Sequence, residues 1–118
     1  MNLRAALREV VGSALGHRRL YRVSGQSMLP TLRSGDLVWV DVSAAAQPEL
    51  GALVVVRSPE PRGKPLVKRV SSLGDSTFAV GSDSPVEARD SRSFGSLKLS
   101  HFIGTVIAHW SPSVLRDT

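Results

Sequence analysis

The chain contains no cysteine. This excludes disulfide staples and thiolate metal sites, and it removes redox usage as a guide to compartment. Aromatic residues are scarce: two tryptophans, one tyrosine and three phenylalanines. A net charge of +5 permits binding to nucleic acid or anionic lipid. The basic residues are scattered, however, and few aromatics accompany them, so the expectation is a solvated basic surface with no nucleic-acid partner. The three histidines, His17, His101 and His109, lack the close spacing of a metal site, and neither metal nor cofactor is expected. Long hydrophobic runs are also missing. The stretch "VVGSALGH" falls far short of the roughly 20 apolar residues a helix needs to cross a bilayer. It is also too polar for a signal-peptide core. The expectation is a soluble, cytoplasmic protein.

What is present fits one small domain: 118 residues, 42% apolar and 21% charged. The first twenty residues, "MNLRAALREVVGSALGHRRL", carry Leu3, Leu7, Val10, Val11, Ala14 and Leu15 at helical spacing. They predict an amphipathic helix over 1–20, stopping at Gly16. Such a helix docks on its own domain or lies on a membrane surface; its narrow apolar face, without a large aromatic, favours docking. Beyond it the pattern turns to short runs rich in β-formers: "LYRVS", "DLVWVDV", "ALVVVR", "PLVKRV", "STFAV" and "FIGTVIAHW". Turn-rich pieces separate them, among them "SPEPRGKP", "SSLGD" and "GSDSPVEARDSRSFGS". The expected architecture is mainly β over 21–118, after one helix.

Two residues stand out chemically. Ser27 lies in "SGQSMLPTLRSGD" between Gly25, which can adopt backbone angles other residues avoid, and Pro30, which stiffens the chain. A loop of this kind holds a hydroxyl in a fixed position, although ordinary turn chemistry explains it too. A serine nucleophile needs a base, and no Ser-His-Asp spacing is evident. A lysine serves if it is neutral, and burial in apolar surroundings can lower a lysine pKa by roughly 3 units or more. In "PLVKRV" strand alternation puts Leu66, Lys68 and Val70 on one face, as a desolvated amine requires. The alternative is a strand lysine whose ammonium snorkels to water. Asp36 and Asp75 each follow glycine and read as turn-formers.

The segments "SGQSMLPTLRSGDLVWV", "GALVVV", "PLVKRVSSLGD" and "GSDSPVEARDSRSFG" together resemble the type I signal peptidase superfamily of serine–lysine endopeptidases, over about residues 23–106. The resemblance implies a β fold of the kind shared with SOS-repressor cleavage domains. It also implies Ser27 as nucleophile and Lys68 as general base, with Gly25, Met28 and Pro30 supporting the oxyanion site and loop. Met28 is expected near the substrate groove, with Pro30 and Thr31 holding the loop. Asp90, Ser91 and Arg92 are expected as structural support, next to Phe94 and Gly95. Two departures matter. The family often carries a serine that orients the lysine where this chain has Ala88, and its Gly-Asp-Asn element reads "GSDS" here, so Ser82 or Ser84 is the candidate replacement.

With no anchor evident, the resemblance narrows to the nickel-type superoxide dismutase maturation proteases. The implied partner is then a precursor protein whose N-terminal propeptide is removed. Two rivals are an anchorless signal peptidase working at the membrane surface and a non-catalytic β module that binds protein or nucleic acid. The self-cleaving SOS repressors rank lower, since no helix-turn-helix is visible.

Overall fold

The computed structural model describes residues 6–15, 17–59, 63–84 and 96–112. It is mainly β, with strands β1 (Ala6–Leu15), β2 (Arg18–Ser24), β3 (Leu37–Asp41), β4 (Leu53–Arg57), β5 (Pro65–Leu73), β6 (Thr77–Gly81), β7 (Ser96–Lys98) and β8 (Phe102–Trp110). All six runs of β-formers in the sequence become strands. They form one antiparallel sheet in the order β1-β2-β3-β8-β4-β5-β6-β7.

The predicted N-terminal helix is not formed: residues 6–15 are a strand. β1 pairs with β2 from Ala6↔Ser24 to Leu15↔Arg18, with irregularities around Val11. The physical reason is non-local. The β2 backbone offers a row of donors and acceptors beside β1, and the β-branched pair Val10–Val11 suits a pleated strand better than a helix. Leu7 lies opposite Val23, and both enter the core. Of the predicted helix, residues 1–5 and Gly16 lie outside the described residues.

The sheet curls until its first strand meets its sixth position. Ala6 pairs with Leu66 of β5 as well as with Ser24 of β2. Strands β1, β2, β3, β8, β4 and β5 thus close a ring, while β6 and β7 continue past β5. The two arms part at a fork in the middle of β5: Leu66 pairs with β1, and Arg69 pairs with Gly81 of β6. Lys68 sits at that fork.

Among the described residues, two apolar clusters make up the core. Leu7, Tyr21, Val23, Met28, Leu32, Val38, Val40, Val55 and Val67 form one. Val54, Val56, Leu66, Val70, Phe78, Val80 and Leu97 form the other, where the Phe78 and Phe102 rings meet edge to face with centroids 6.1 Å apart. β4 and β5 are the wall between the clusters. This accounts for their continuous apolar runs, since a strand covered on both faces has no need to alternate. Gly104 lets β8 pass close to β3, where an added Cβ would meet the Asp41 carbonyl oxygen and come within 2.8 Å of Val40 Cγ1.

Candidate active site

The loop between β2 and β3 is tied at its base and plugged at its centre. Val23 N–H donates to the Asp36 carbonyl (2.8 Å) and Gly35 N–H to the Val23 carbonyl (2.7 Å). Gly25 and Gly35 take φ of +92° and +96°, a region open to glycine at little cost. Asp36, buried, accepts the Arg33 N–H at 2.9 Å and the Ser111 hydroxyl, so it forms the turn expected of it and also holds the end of β8. Met28 and Leu32 are fully buried in the first cluster, and Leu32 N–H donates to the Met28 carbonyl at 2.9 Å. The Leu29–Pro30 bond is cis. Ser27 is only 2% exposed. The side chain that follows it is a core anchor, which fixes the position of the serine backbone. Met28 itself has no exposed surface to offer a substrate groove, contrary to the expectation from sequence.

Lys68 is also 2% exposed, so its side chain does not snorkel to bulk solvent. Its environment follows from register. Along its own strand, Leu66 and Val70 share its face, and both are buried. Across the sheet, Val54 of β4 lies directly opposite and is fully buried. On the other side the β5–β6 register reaches Arg69↔Gly81. One further step sets Ser82 opposite Lys68 on the same face. The Lys68 Nζ indeed donates to Ser82 Oγ at 3.0 Å. Within the sheet, Leu66, Val70 and Val54 line the amine stem and Ser82 offers a hydroxyl.

The loop and the lysine are brought together by two routes. The first is the sheet: Ser24, where the loop departs, and Leu66, two residues before Lys68, both pair with Ala6, so they stand two strand spacings apart, roughly 10 Å. The second is the segment after β6, in which three successive residues reach three places. Ser82 holds Lys68. Asp83 accepts two hydrogen bonds from Arg69, from Nε at 2.8 Å and Nη2 at 2.7 Å, and a third from the Thr31 hydroxyl. Ser84 N–H donates to the Ser27 carbonyl at 3.0 Å. Arg69 also donates to the Gly51 carbonyl at 2.8 Å.

The Asp83 carboxyl is held below the usual carboxylate range, first by the hydrogen bond from Arg69, against the opposing effect of burial, with further help from Thr31. Arg69 is raised reciprocally, chiefly by the same bond. Of the proposed lysine-orienting replacements, Ser82 reaches the amine by its side chain, whereas Ser84 bonds the serine loop by its backbone. Ala88, Asp90, Ser91, Arg92, Phe94 and Gly95 lie outside the described residues. Reading the sequence missed Asp83 and Arg69; the signal available was their place, one in the altered "GSDS" element and one next to Lys68.

No curated protein and no solved structure matches the chain. A family model described as signal peptidase, peptidase S26, matches residues 10–80, which span both Ser27 and Lys68. A mainly β chain that buries a loop serine and a strand lysine around one short connecting segment, and matches that family over more than half its 118 residues, belongs to the signal peptidase, peptidase S26, family, and is a hydrolase of the serine peptidase kind.

Proposed function

We propose that the protein is an endopeptidase working through a Ser27–Lys68 dyad, and that it removes an N-terminal propeptide from a nickel superoxide dismutase precursor. The observation that carries the reading is the burial of Lys68 at the fork of the sheet, bonded to the segment that also holds the Ser27 loop. A buried amine among Leu66, Val70 and Val54 favours its neutral form, and a neutral amine can act as a base at ordinary pH.

The steps follow from that chemistry. The Lys68 lone pair takes the proton of Ser27 Oγ as the oxygen forms a bond to the scissile carbonyl carbon. The carbonyl electron pair moves to the oxyanion, to which the Ser27 N–H donates; a preorganised donor of this type is worth about 3 kcal/mol. Collapse of the intermediate breaks the C–N bond, and Lys68 returns the proton to the leaving amine. Water then loses a proton to Lys68, attacks the acyl-enzyme, and the Ser27 oxygen departs and regains that proton. Throughout, Ser82 holds the amine against rotation, and Met28 anchors the serine from below.

The propeptide substrate rests on the sequence resemblance. The membrane-surface alternative loses its motive in the N-terminal helix, since residues 6–15 are a strand. Among the described residues no helix is long and apolar enough to cross a membrane. The test is digestion of the purified precursor, with product masses measured for the wild type and for Ser27→Ala and Lys68→Ala. One cut that frees the mature terminus, lost in both variants, is expected. Cleavage that survives both changes overturns the dyad; a wild type that cuts a peptide with small residues before the bond, but not the precursor, overturns only the substrate.

A further inference from the structure

We infer that Asp83 is a positioning residue that holds the Ser27 loop against the strand bearing Lys68, and that the link runs from Thr31 through the Asp83 carboxylate to Arg69. This rests on the proposed dyad but concerns residues outside it.

The geometry argues for a clamp and not an ordinary surface ion pair. Arg69 follows Lys68 on β5 and has the opposite face, so its guanidinium marks the position of the strand without touching the amine. Both Nε and Nη2 engage Asp83, at 2.8 and 2.7 Å, while Nη1 is held by the Gly51 carbonyl at 2.8 Å. Such a bidentate fork fixes direction as well as distance. The Asp83 side chain is 14% exposed against 37% for that of Arg69, so the carboxylate is the more enclosed end. It accepts its remaining bond from Thr31, four residues beyond Ser27 and inside the turn plugged by Met28 and Leu32. The neighbour of Asp83 on one side bonds Lys68 and on the other bonds the Ser27 backbone. A carboxylate there couples the two halves of the dyad, which the sheet alone separates by two strand spacings.

The consequence is specific. Loss of the clamp slackens the relation between hydroxyl and amine, which matters in the transition state, and leaves substrate binding largely as it was. The variants Asp83→Asn, Thr31→Val and Thr31→Ser separate this from a general structural role. Asp83→Asn and Thr31→Val should each lower kcat on the precursor by about tenfold or more, with KM little changed. Thr31→Ser, which keeps the hydroxyl, should restore most of it. The Asp83→Asn, Thr31→Val double variant should be little worse than Asp83→Asn alone, because both break one link. A substrate-free readout runs beside these: amide exchange at Ser84, whose N–H bonds the Ser27 carbonyl, should speed up in both variants relative to core amides of β3. If Asp83→Asn fails to fold, Thr31→Val against Thr31→Ser decides the matter. Unchanged kcat in a folded Thr31→Val, additive losses, or unaltered Ser84 exchange overturns the clamp. If the wild type cuts neither the precursor nor a peptide with small residues before the bond, the proposed function fails, and the exchange measurement still judges the clamp by itself.

Discussion

Consider removal of the hydroxyl opposite Lys68. Ser82→Ala deletes one acceptor, at 3.0 Å from Nζ, and adds no bulk. Hydrogen bonds to charged groups contribute about 1.5–3 kcal/mol, and a buried polar group left without its partner costs a similar amount. In the proposed mechanism Lys68 becomes charged on taking the serine proton, so the acceptor is needed most at that stage. If the whole contribution is felt in the transition state, kcat/KM falls by roughly 10- to 150-fold, at about 1.4 kcal/mol per decade. The sign of the accompanying pH effect is also fixed. An acceptor favours the ammonium over the neutral amine, so under the proposed mechanism its removal should move the acidic limb of the kcat/KM profile to lower pH. The assay is initial-rate cleavage of the precursor across pH, with thermal unfolding as a control for folding. Wild-type kcat/KM and an unmoved limb in folded Ser82→Ala would refute the reasoning.

Other outcomes follow from the same packing. Lys68→Met should abolish cleavage while leaving equilibrium stability equal to or above wild type in urea, because an apolar side chain suits the Leu66–Val70–Val54 surroundings better than an amine does; a large destabilisation would contradict the burial argument. Asp83 is depressed in the fold, chiefly by Arg69, so the unfolded chain binds this proton more readily. The stability it confers is complete above the ordinary carboxylate range of about 4 and is lost as pH falls through the folded value. The urea-stability gap between wild type and Asp83→Asn should therefore narrow on acidification below about pH 4; a gap that widens would be contrary. Gly104→Ala should cost about 1–3 kcal/mol by overpacking β8 on β3, read from urea midpoints, and no loss would mean the strands have room to part.

Much of this was visible in the residues and some was not. Lys68 could be picked out because strand alternation is local: Leu66 and Val70 flank it in the chain and flank it in space. Ser27 was marked by glycine and proline on either side, although the depth of its anchor at Met28 was not, since whether a methionine faces a groove or a core depends on the rest of the barrel. The N-terminal segment was misread because leucines at helical spacing also suit a strand once a partner strand is present, and pairing with β2 is a tertiary choice. Asp83 was hidden for the same reason. Its partners come from 14 and 52 residues away; the register Arg69↔Gly81 brings the first, and the Ser27 loop, tied by the Ser84 N–H, brings the second.

The central claim is that the Ser27 oxygen forms the covalent bond to substrate. The direct test is rapid acid quenching of enzyme mixed with excess precursor, followed by intact-mass measurement and mapping of any adduct. The account predicts wild-type enzyme heavier by the acyl propeptide, attached at Ser27, with no adduct in Ser27→Ala. Product formed by Ser27→Ala at the wild-type rate, or an adduct mapped to another residue, would contradict it.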